Sequence, residues 1–216
     1  MSLLDELNPR ARSLHGFYGA DKTRLESYEA MVEAILAPVR AGRTVCAAFY
    51  GHPGVFVYPA HEAVERAREE GARAWMLPGI SSIDCLFADL GIDPARTGCQ
   101  LYHASDFLLY RSRPDTAATL VLLQIAVIGA LGHLRQPDLS RLPVLIDYLG
   151  CFYPIDHEVI PYEASPFPVL EATVERVPLS RLAEAELTIG TTLVVPPASS
   201  REVDPTMADR LGLSAC

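Results

Sequence analysis

Two turns rich in glycine and proline are the first places where this chain could do chemistry. The apolar residues 44–50 lead into the turn GHPG at 51–54, and the apolar residues 72–77 lead into PGISS at 78–82. Parallel strands ending in such turns build a ligand crevice at the carboxyl edge of an α/β sheet. Main-chain groups can contact a ligand there because glycine has no Cβ. The turns therefore predict a small-molecule site.

A second candidate lies in the first amphipathic helix, which the apolar spacing predicts over residues 24–39. Arg24 and Tyr28 are one helical turn apart in this helix and so share a face. A phenol is a weak base, and a nearby guanidinium would stabilise its phenolate. A purely structural interpretation stays open, in which Tyr28 is a core-facing aromatic residue and Arg24 is a solvated residue at the helix start.

The elements that would position these residues alternate between strand and helix. Residues 44–50 are β-branched, aromatic and uncharged, which predicts a buried parallel strand. A helix over 59–71 and a strand over 72–77 follow, and Ser81 precedes Asp84 by three residues, as in a capping box that begins another helix. This alternation predicts a doubly wound α/β fold.

The pattern changes after residue 99. The polar, proline-bearing stretch 111–115 predicts a linker. We therefore expect a first α/β domain over 1–112, a second α/β domain over 113–197, and a polar tail over 198–216. The second domain is predicted to contain strands over 119–128, 158–163, 174–177 and 188–195, and helices over 142–149 and 179–186.

Composition excludes several classes of protein. A hydrophobic content of 50% in 216 residues supplies a real core, and a net charge of -9 argues against a nucleic-acid partner. The apolar run 120–131 is too short to cross a bilayer, and Asp5 and Glu6 stand where a signal peptide would carry positive charge. We expect a cytoplasmic protein that binds no membrane.

The cysteines and histidines are not spaced like ligands. Five cysteines are scattered without paired spacing, which fits neither a disulfide framework nor a zinc site. Reduced, mostly buried thiols are expected. The histidines show no metal-ligand spacing either, so the sequence implies no metal.

Five short motifs carry a resemblance to a known family. They are YGHPGVFV from residue 50, LPGISS from residue 77, FADL from residue 87, Gln124 in a predicted strand, and TTLVVPP from residue 191. With this order and spacing the chain resembles the tetrapyrrole methylase superfamily. Within it, the chain looks most like the peptide backbone N-methyltransferases of borosin biosynthesis and their bacterial relatives. The likeness extends over nearly the whole chain.

The resemblance implies a two-domain tetrapyrrole methylase-like fold of the α/β class that binds S-adenosylmethionine in the cleft between its domains. His52 stands where most of the superfamily has aspartate, as in the borosin-like branch. A simpler interpretation of Gln124 is a hydrogen-bonded core residue, and Ser81 is also a plausible helix cap. The cofactor contacts that the resemblance implies fall on Gly51, His52, Val55, Ser81, Ser82, Gln124, Tyr162 and Thr192.

The resemblance also implies a catalytic set. Tyr18, Arg24, Tyr28 and Tyr50 match, in identity and spacing, residues that borosin methyltransferases place around the amide being methylated. An amide nitrogen is a poor nucleophile until its proton leaves and negative charge moves onto the carbonyl oxygen. A guanidinium can stabilise both a phenolate and that imidate. Methyl transfer then needs mainly in-line positioning, because the sulfonium is already activated.

Two departures from the family pattern set further expectations. Members begin with a strand and a Gly-rich turn before a segment like residues 7–11 of this chain, so we expect a first domain shortened at its amino terminus. The residues after Pro197 are charged, unlike the Val/Ile/Gly-rich peptide fused to fungal borosin precursors. We therefore expect a separate peptide or a small molecule as the substrate.

The leading hypothesis is an S-adenosylmethionine-dependent methyltransferase that N-methylates a peptide backbone amide, or a related natural-product amide, supplied in trans. We expect a homodimer. One alternative is carbon methylation of a corrin-like tetrapyrrole, which the net charge of -9 disfavours because such a polycarboxylate needs a basic cleft. Another is a non-catalytic binding or scaffold paralogue, motivated by the missing Gly-rich turn.

Overall fold

The computed structural model describes residues 6–19, 22–167 and 169–213, and the chain divides into two compact units. Unit 1 comprises residues 1–85 and 130–135, and unit 2 comprises residues 86–129 and 136–216. The boundary predicted after residue 112 lies within unit 2, between two strands that pair with each other. As a boundary between domains of the family it stays a prediction.

Unit 1 is built on two helices, α1 (Arg24–Arg40) and α2 (Tyr58–Glu69), and a 3-10 turn precedes them at His15–Phe17. A capping box fixes the start of α1. The Thr23 hydroxyl accepts a hydrogen bond from the Glu26 N–H at 3.2 Å, and the Glu26 carboxylate accepts one from the Thr23 N–H at 2.7 Å. The cap therefore also fixes the position of Arg24, the first residue of the helix.

The core of unit 1 lies between these two helices. Val32 and Leu36 of α1 pack against Ala63 and Ala67 of α2, and all four side chains are buried. The alanines leave room for the branched side chains of α1, so the helices interlock. The helix predicted over 24–39 is confirmed, and the helix predicted from residue 59 begins one residue earlier.

The two segments predicted as buried strands of unit 1 are not strands. Within the described part of the chain, neither 44–50 nor 72–77 forms a ladder with a neighbouring strand. Most of their side chains are at least partly exposed, and Trp75 and Leu77 are 66% and 70% exposed. The prediction of pairing and burial was wrong because an apolar stretch becomes a buried strand only when strands lie beside it.

Unit 2 contains a mixed sheet, and the α/β class is confirmed. Its described strands are β1 (Cys99–His103), β2 (Thr119–Leu123), β3 (Glu158–Glu163), β4 (Thr173–Val174), β5 (Val177–Pro178) and β6 (Thr192–Val195). They lie in the order β1-β2-β6-β3-β4, and β5 pairs with the amino-terminal part of β3. β1 and β2 run parallel, whereas the other pairs are antiparallel.

Helices and 3-10 turns surround this sheet. Every residue of β2 and of β6 is buried, and Phe107, Leu145 and Leu149 are fully buried in the same core. The helix α3 (Ser82–Leu90) begins in unit 1 and ends in unit 2. The other elements are α4 (Pro94–Thr97), α5 (Ala104–Leu109), α6 (Leu142–Leu149), α7 (Pro205–Arg210) and the 3-10 turns Ile125–Val127 and Leu179–Glu184.

Two strand boundaries and the tail differ from prediction for local reasons. The strand predicted over 119–128 ends at Leu123, because Gln124 takes a left-handed conformation with φ 63°. The strand predicted over 188–195 begins at Thr192, since the Thr188 N–H donates to the Thr191 hydroxyl at 2.8 Å and closes a turn. The predicted tail contains α7, which Asp204 caps.

The cysteines differ from prediction as well. The four described ones have free thiols, but none is buried: Cys46 and Cys151 are exposed, and Cys85 and Cys99 are intermediate. The fifth, Cys216, lies outside the described residues. Across the described ranges no helix has the length and apolarity needed to cross a membrane.

Candidate functional site

Four aromatic side chains of unit 1 pack around the start of α1, and we call Tyr18, Tyr28, Tyr58 and His133 the tyrosine cluster. The ring centroids of Tyr18 and Tyr28 are 6.3 Å apart with an edge-to-face geometry. Tyr28 stacks on Tyr58 at 6.1 Å, and Tyr18 lies 4.5 Å from His133 with 31° between the ring planes. The structure thus brings two of the predicted tyrosines together and adds two residues that sequence reasoning missed.

Arg24 is held at the start of α1 by a segment from much later in the chain. Its backbone N–H donates to the Leu131 carbonyl at 2.8 Å, and its Nε donates to the Gly132 carbonyl at 3.1 Å. Thr23 forms an antiparallel bridge with Gly132. Arg24 therefore is not simply a solvated helix start, because its guanidinium group is oriented by a hydrogen bond across 108 residues of sequence.

The surroundings of Tyr18 raise its pKa. Burial, followed by the neighbouring Tyr28 and Tyr50, raises the pKa of Tyr18 above its ordinary value of 10.0, and Arg24 opposes this with a smaller effect. Arg24 thus lowers the pKa of Tyr18, as expected of a neighbouring guanidinium group, but the opposing effects are larger. At neutral pH Tyr18 is a neutral phenol, which can donate a hydrogen bond to an oxygen that gains negative charge.

Tyr58 is anchored on the outer side of the cluster. Its hydroxyl donates to the Glu29 carboxylate at 2.5 Å, and Glu29 also pairs with Arg66 of α2 at 2.8 Å. The hydrogen bond to Glu29 raises the pKa of Tyr58 to about 12. Tyr58 is thus a fixed neutral ring against which Tyr28 rests.

Tyr50 stands at the mouth of the first turn. Its side chain is fully exposed, yet it is near enough to raise the pKa of Tyr18. The turn that follows is closed by His52, whose Nδ1 accepts from the Gly54 N–H at 2.9 Å and whose carbonyl accepts from the Val55 N–H at 3.0 Å. The exposed face of Tyr50 is available to a substrate.

The two turns of unit 1 meet backbone to backbone. Gly51 adopts a left-handed conformation with φ 72°, and a Cβ on Gly79 would collide with the carbonyl oxygen of Gly51. Both positions therefore require glycine, the first for its conformation and the second for the close approach. The two turns thus lie against each other, although in the described part of the chain the segments 44–50 and 72–77 that lead into them form no sheet.

Ser81 and Ser82 have different environments. Ser81 is buried and begins α3 with a capping box: its hydroxyl and its N–H donate to the Asp84 carboxylate at 2.6 and 2.7 Å, and its oxygen accepts from the Asp84 N–H at 3.2 Å. These bonds hold the pKa of Asp84 below its usual value. Ser82 is exposed. The cap role considered for Ser81 is therefore real.

We expect Ser81→Ala to lower the free energy of unfolding by about 1 kcal/mol, because the cap leaves a helix N–H unsatisfied when it is removed. Ser82→Ala is the matched control, with a change within about 0.5 kcal/mol. Urea unfolding followed by circular dichroism measures both. Equal stabilities for the two variants would contradict a structural role for Ser81.

Three further predicted site residues lie together in unit 2, at one end of the central strands. Tyr162 of β3 is directly opposite Thr192 of β6, and both are buried. Gln124 follows the last residue of the neighbouring β2 in a left-handed conformation that is uncommon outside glycine. Such backbone strain is concentrated at functional sites, which makes Gln124 a stronger candidate than its sequence context does.

The side chain of Tyr162 already has a partner. Its hydroxyl donates to the Asp89 carboxylate of α3 at 2.7 Å, which joins that helix to the sheet. The motif FADL, singled out in the sequence, contains Asp89, so a signal for this contact existed. Among the described residues, no group of three or more His, Cys, Asp or Glu side chains is arranged to hold a metal ion.

Comparison with known proteins shows which family this chain belongs to. The family model described as Tetrapyrrole (Corrin/Porphyrin) Methylases matches residues 2–144. The chain belongs to this family. The predicted family membership is confirmed.

Relatives of this tetrapyrrole methylase family member include fungal proteins. A methyltransferase/ribosomally synthesized type I borosin cyclic peptide precursor of Coprinopsis marcescibilis is 41% identical over 91% of this chain and 52% of its own length. The omphalotin A precursor of Omphalotus olearius, also named a methyltransferase, is 39% identical over 95% of this chain and 51% of its own. The chain spans about half the length of these two relatives.

Solved structures agree on the fold. A uroporphyrin-III C-methyltransferase of Thermus thermophilus has a TM-score of 0.58 at 23% identity, covering 78% of this chain and 71% of its own. A uroporphyrin-III C-methyltransferase of the same organism, complexed with S-adenosylhomocysteine, has a TM-score of 0.54 at 18% identity, covering 81% of this chain and 74% of its own. The tetrapyrrole methylase-like fold predicted for this family member is thereby confirmed.

Proposed function

We propose that this chain is an S-adenosylmethionine-dependent methyltransferase that N-methylates a backbone amide of a separate peptide. The observation that carries the proposal is the tyrosine cluster, with Arg24 oriented beside it and Tyr50 exposed at the adjoining turn. Support comes from relatives about 40% identical that are named both methyltransferase and cyclic peptide precursor.

The proposed methyl donor is S-adenosylmethionine, which would supply an electrophilic methyl group when bound. One structure of the same fold was solved with S-adenosylhomocysteine. Within unit 1 the main-chain groups of the Gly51 turn suit such a ligand, and within unit 2 the strained Gln124 and the buried Thr192 do so. We assign the predicted contacts on Gly51, His52, Val55, Ser81, Ser82, Gln124, Tyr162 and Thr192 to this cofactor.

Each residue of the proposed amide site has its own role in the reaction. Negative charge grows on the carbonyl oxygen as the proton leaves the nitrogen, and the Arg24 guanidinium together with the protonated Tyr18 would stabilise that oxygen. Tyr28, on the same helix face as Arg24, would accept the proton as its phenolate, which the guanidinium group stabilises, and would become a neutral phenol. Tyr50 would cover the peptide from the solvent side. The chain's contribution is thus charge stabilisation, proton acceptance and alignment.

The raised pKa of Tyr18 predicts how kcat depends on pH. A donor phenol is present below its pKa and lost as pH rises through it, so a raised pKa keeps Tyr18 active beyond pH 10.0. Any basic limb in the wild-type kcat that is due to Tyr18 should therefore have its midpoint above pH 10.0. The measurement is a pH–rate profile of wild type and Tyr18→Phe, with Tyr110→Phe, on an exposed ring, as the control. A basic limb below pH 10.0 that only Tyr18→Phe abolishes would refute this.

The proposed reaction is tested by incubating the purified chain with S-adenosylmethionine and a synthetic peptide rich in Val, Ile and Gly. Fragmentation mass spectrometry should locate added methyl groups on backbone nitrogens. Methyl groups found only on side chains, or only on uroporphyrinogen III supplied in a parallel reaction, would reject the proposal. Tight cofactor binding by calorimetry without any transfer would instead favour the binding or scaffold alternative.

Homodimer formation and a cytoplasmic location stay predictions for this chain. Exposed apolar side chains such as Trp75 and Ile80 are compatible with association. Light scattering coupled to size exclusion measures the oligomeric state directly.

A further inference from the structure

The segment of residues 131–133 contacts both charged and aromatic members of the proposed amide site. Its first two carbonyls accept hydrogen bonds from Arg24, and its third residue, His133, packs against the ring of Tyr18. The neighbouring sequence on both sides belongs to unit 2, whereas residues 130–135 belong to unit 1. The segment 131–133 thus gives Arg24 and Tyr18 contacts that come from a distant part of the sequence.

We propose that His133 is a positioning residue: the segment 131–133 orients the Arg24 guanidinium group through the Gly132 carbonyl, while the imidazole ring of His133 holds Tyr18 in place. The inference rests on the proposed function, because positioning matters only if Tyr18 and Arg24 act on an amide. It assigns a role to a residue that neither the resemblance nor the sequence motifs singled out.

The contact between His133 and Tyr18 has the geometry of an attractive aromatic pair. At 4.5 Å with a tilt of 31°, the two rings lie in the range where aromatic pairs attract each other. His15 meets another edge of Tyr18 at 5.7 Å, and Tyr28 meets it at 6.3 Å. Tyr18 is therefore confined by rings on several sides, and His133 is the nearest of them.

The charge state of His133 suits this role. Partial burial, and then Arg24, His15 and Arg135, lower the pKa of His133 below 6.5, so the imidazole is neutral at pH 7. A neutral ring can lie beside the Arg24 guanidinium group without repelling it. The protonated ring would place a second positive charge there.

The test compares His133→Ala, which removes the ring, with His133→Phe, which keeps a ring but no nitrogen. If the ring positions Tyr18, His133→Ala should lower kcat for peptide methylation about tenfold with little change in KM, and His133→Phe should stay within about threefold of wild type. Gln136→Ala, at an exposed position nearby, is the control. Circular dichroism and thermal unfolding check that each variant folds.

A second readout needs no activity. In protein carrying 13C-labelled tyrosine, the ring signals of Tyr18, identified by their loss in Tyr18→Phe, should shift in His133→Ala and return towards wild type in His133→Phe. Unchanged signals in His133→Ala would overturn the inference, as would a kcat of His133→Ala within about twofold of wild type or an equal defect in His133→Phe. If the wild type methylates no amide, the proposed function fails, and the ring signals alone decide whether His133 holds Tyr18.

Discussion

Arg24→Ala is expected to lower kcat/KM for peptide amide methylation about a thousandfold, because it removes the charge that stabilises the amide oxygen as its proton leaves. Arg24→Lys should remain impaired about a hundredfold. A lysine carries the charge but cannot reproduce a planar guanidinium group whose Nε donates to the Gly132 carbonyl. Initial rates at varied peptide concentration, at saturating S-adenosylmethionine, measure both losses.

The matched control is Arg43→Ala. Arg43 is exposed just after α1 in the same unit, so its removal takes away an equal charge outside the cluster. We expect its kcat/KM to stay within about twofold of wild type. An Arg24→Ala protein that folds, binds the cofactor and retains more than about a third of wild-type kcat/KM would contradict the proposed role.

Phe107→Ala is expected to lower the free energy of unfolding by about 3–5 kcal/mol. Phe107 is fully buried in the core of unit 2, where its ring lies 5.5 Å from Tyr102 and 5.6 Å from Tyr148. Truncation would leave a cavity in a close-packed interior and remove both ring contacts. A loss of this size is a large part of the stability of a typical domain.

Leu109→Ala, in the same short helix, controls for this prediction. Leu109 is 72% exposed, so its truncation should change the free energy of unfolding by no more than about 0.5 kcal/mol. Urea unfolding monitored by circular dichroism gives both values. A loss of less than about 1 kcal/mol in Phe107→Ala would show that the aromatic core is not what stabilises unit 2.

Local sequence signals predicted the elements whose stability is largely local. The apolar spacing of α1 and its Thr23–Glu26 cap act within one helix, so its bounds could be predicted closely. The strand over 158–163 was also predicted with its observed bounds, although it pairs with strands that are distant in the sequence. The stretch 44–50 failed because strand pairing depends on neighbours that no local pattern describes.

The residues of the candidate site likewise fall into those that the sequence predicted and those that it did not. Arg24 and Tyr28 could be placed on one face of a helix from their spacing alone, and the resemblance added Tyr18 and Tyr50. Tyr58 and His133 could not be found, because they reach the cluster from distant parts of the chain. The left-handed conformation of Gln124 was also invisible, since its strand-like sequence continues to residue 128.

By itself, the sequence determined the family, the α/β class, the main helices and the two glycine turns, since these depend on local periodicity and on motifs in a fixed order. Only the tertiary structure decided which groups meet: Gly132 with Arg24, His133 with Tyr18, and Asp89 with Tyr162. It also decided that the pKa of Tyr18 lies above its ordinary value, because burial and neighbouring phenols outweigh the guanidinium group. The physical reason is that burial, hydrogen-bond partners and pKa values depend on distances in space, and separation along the chain does not encode them.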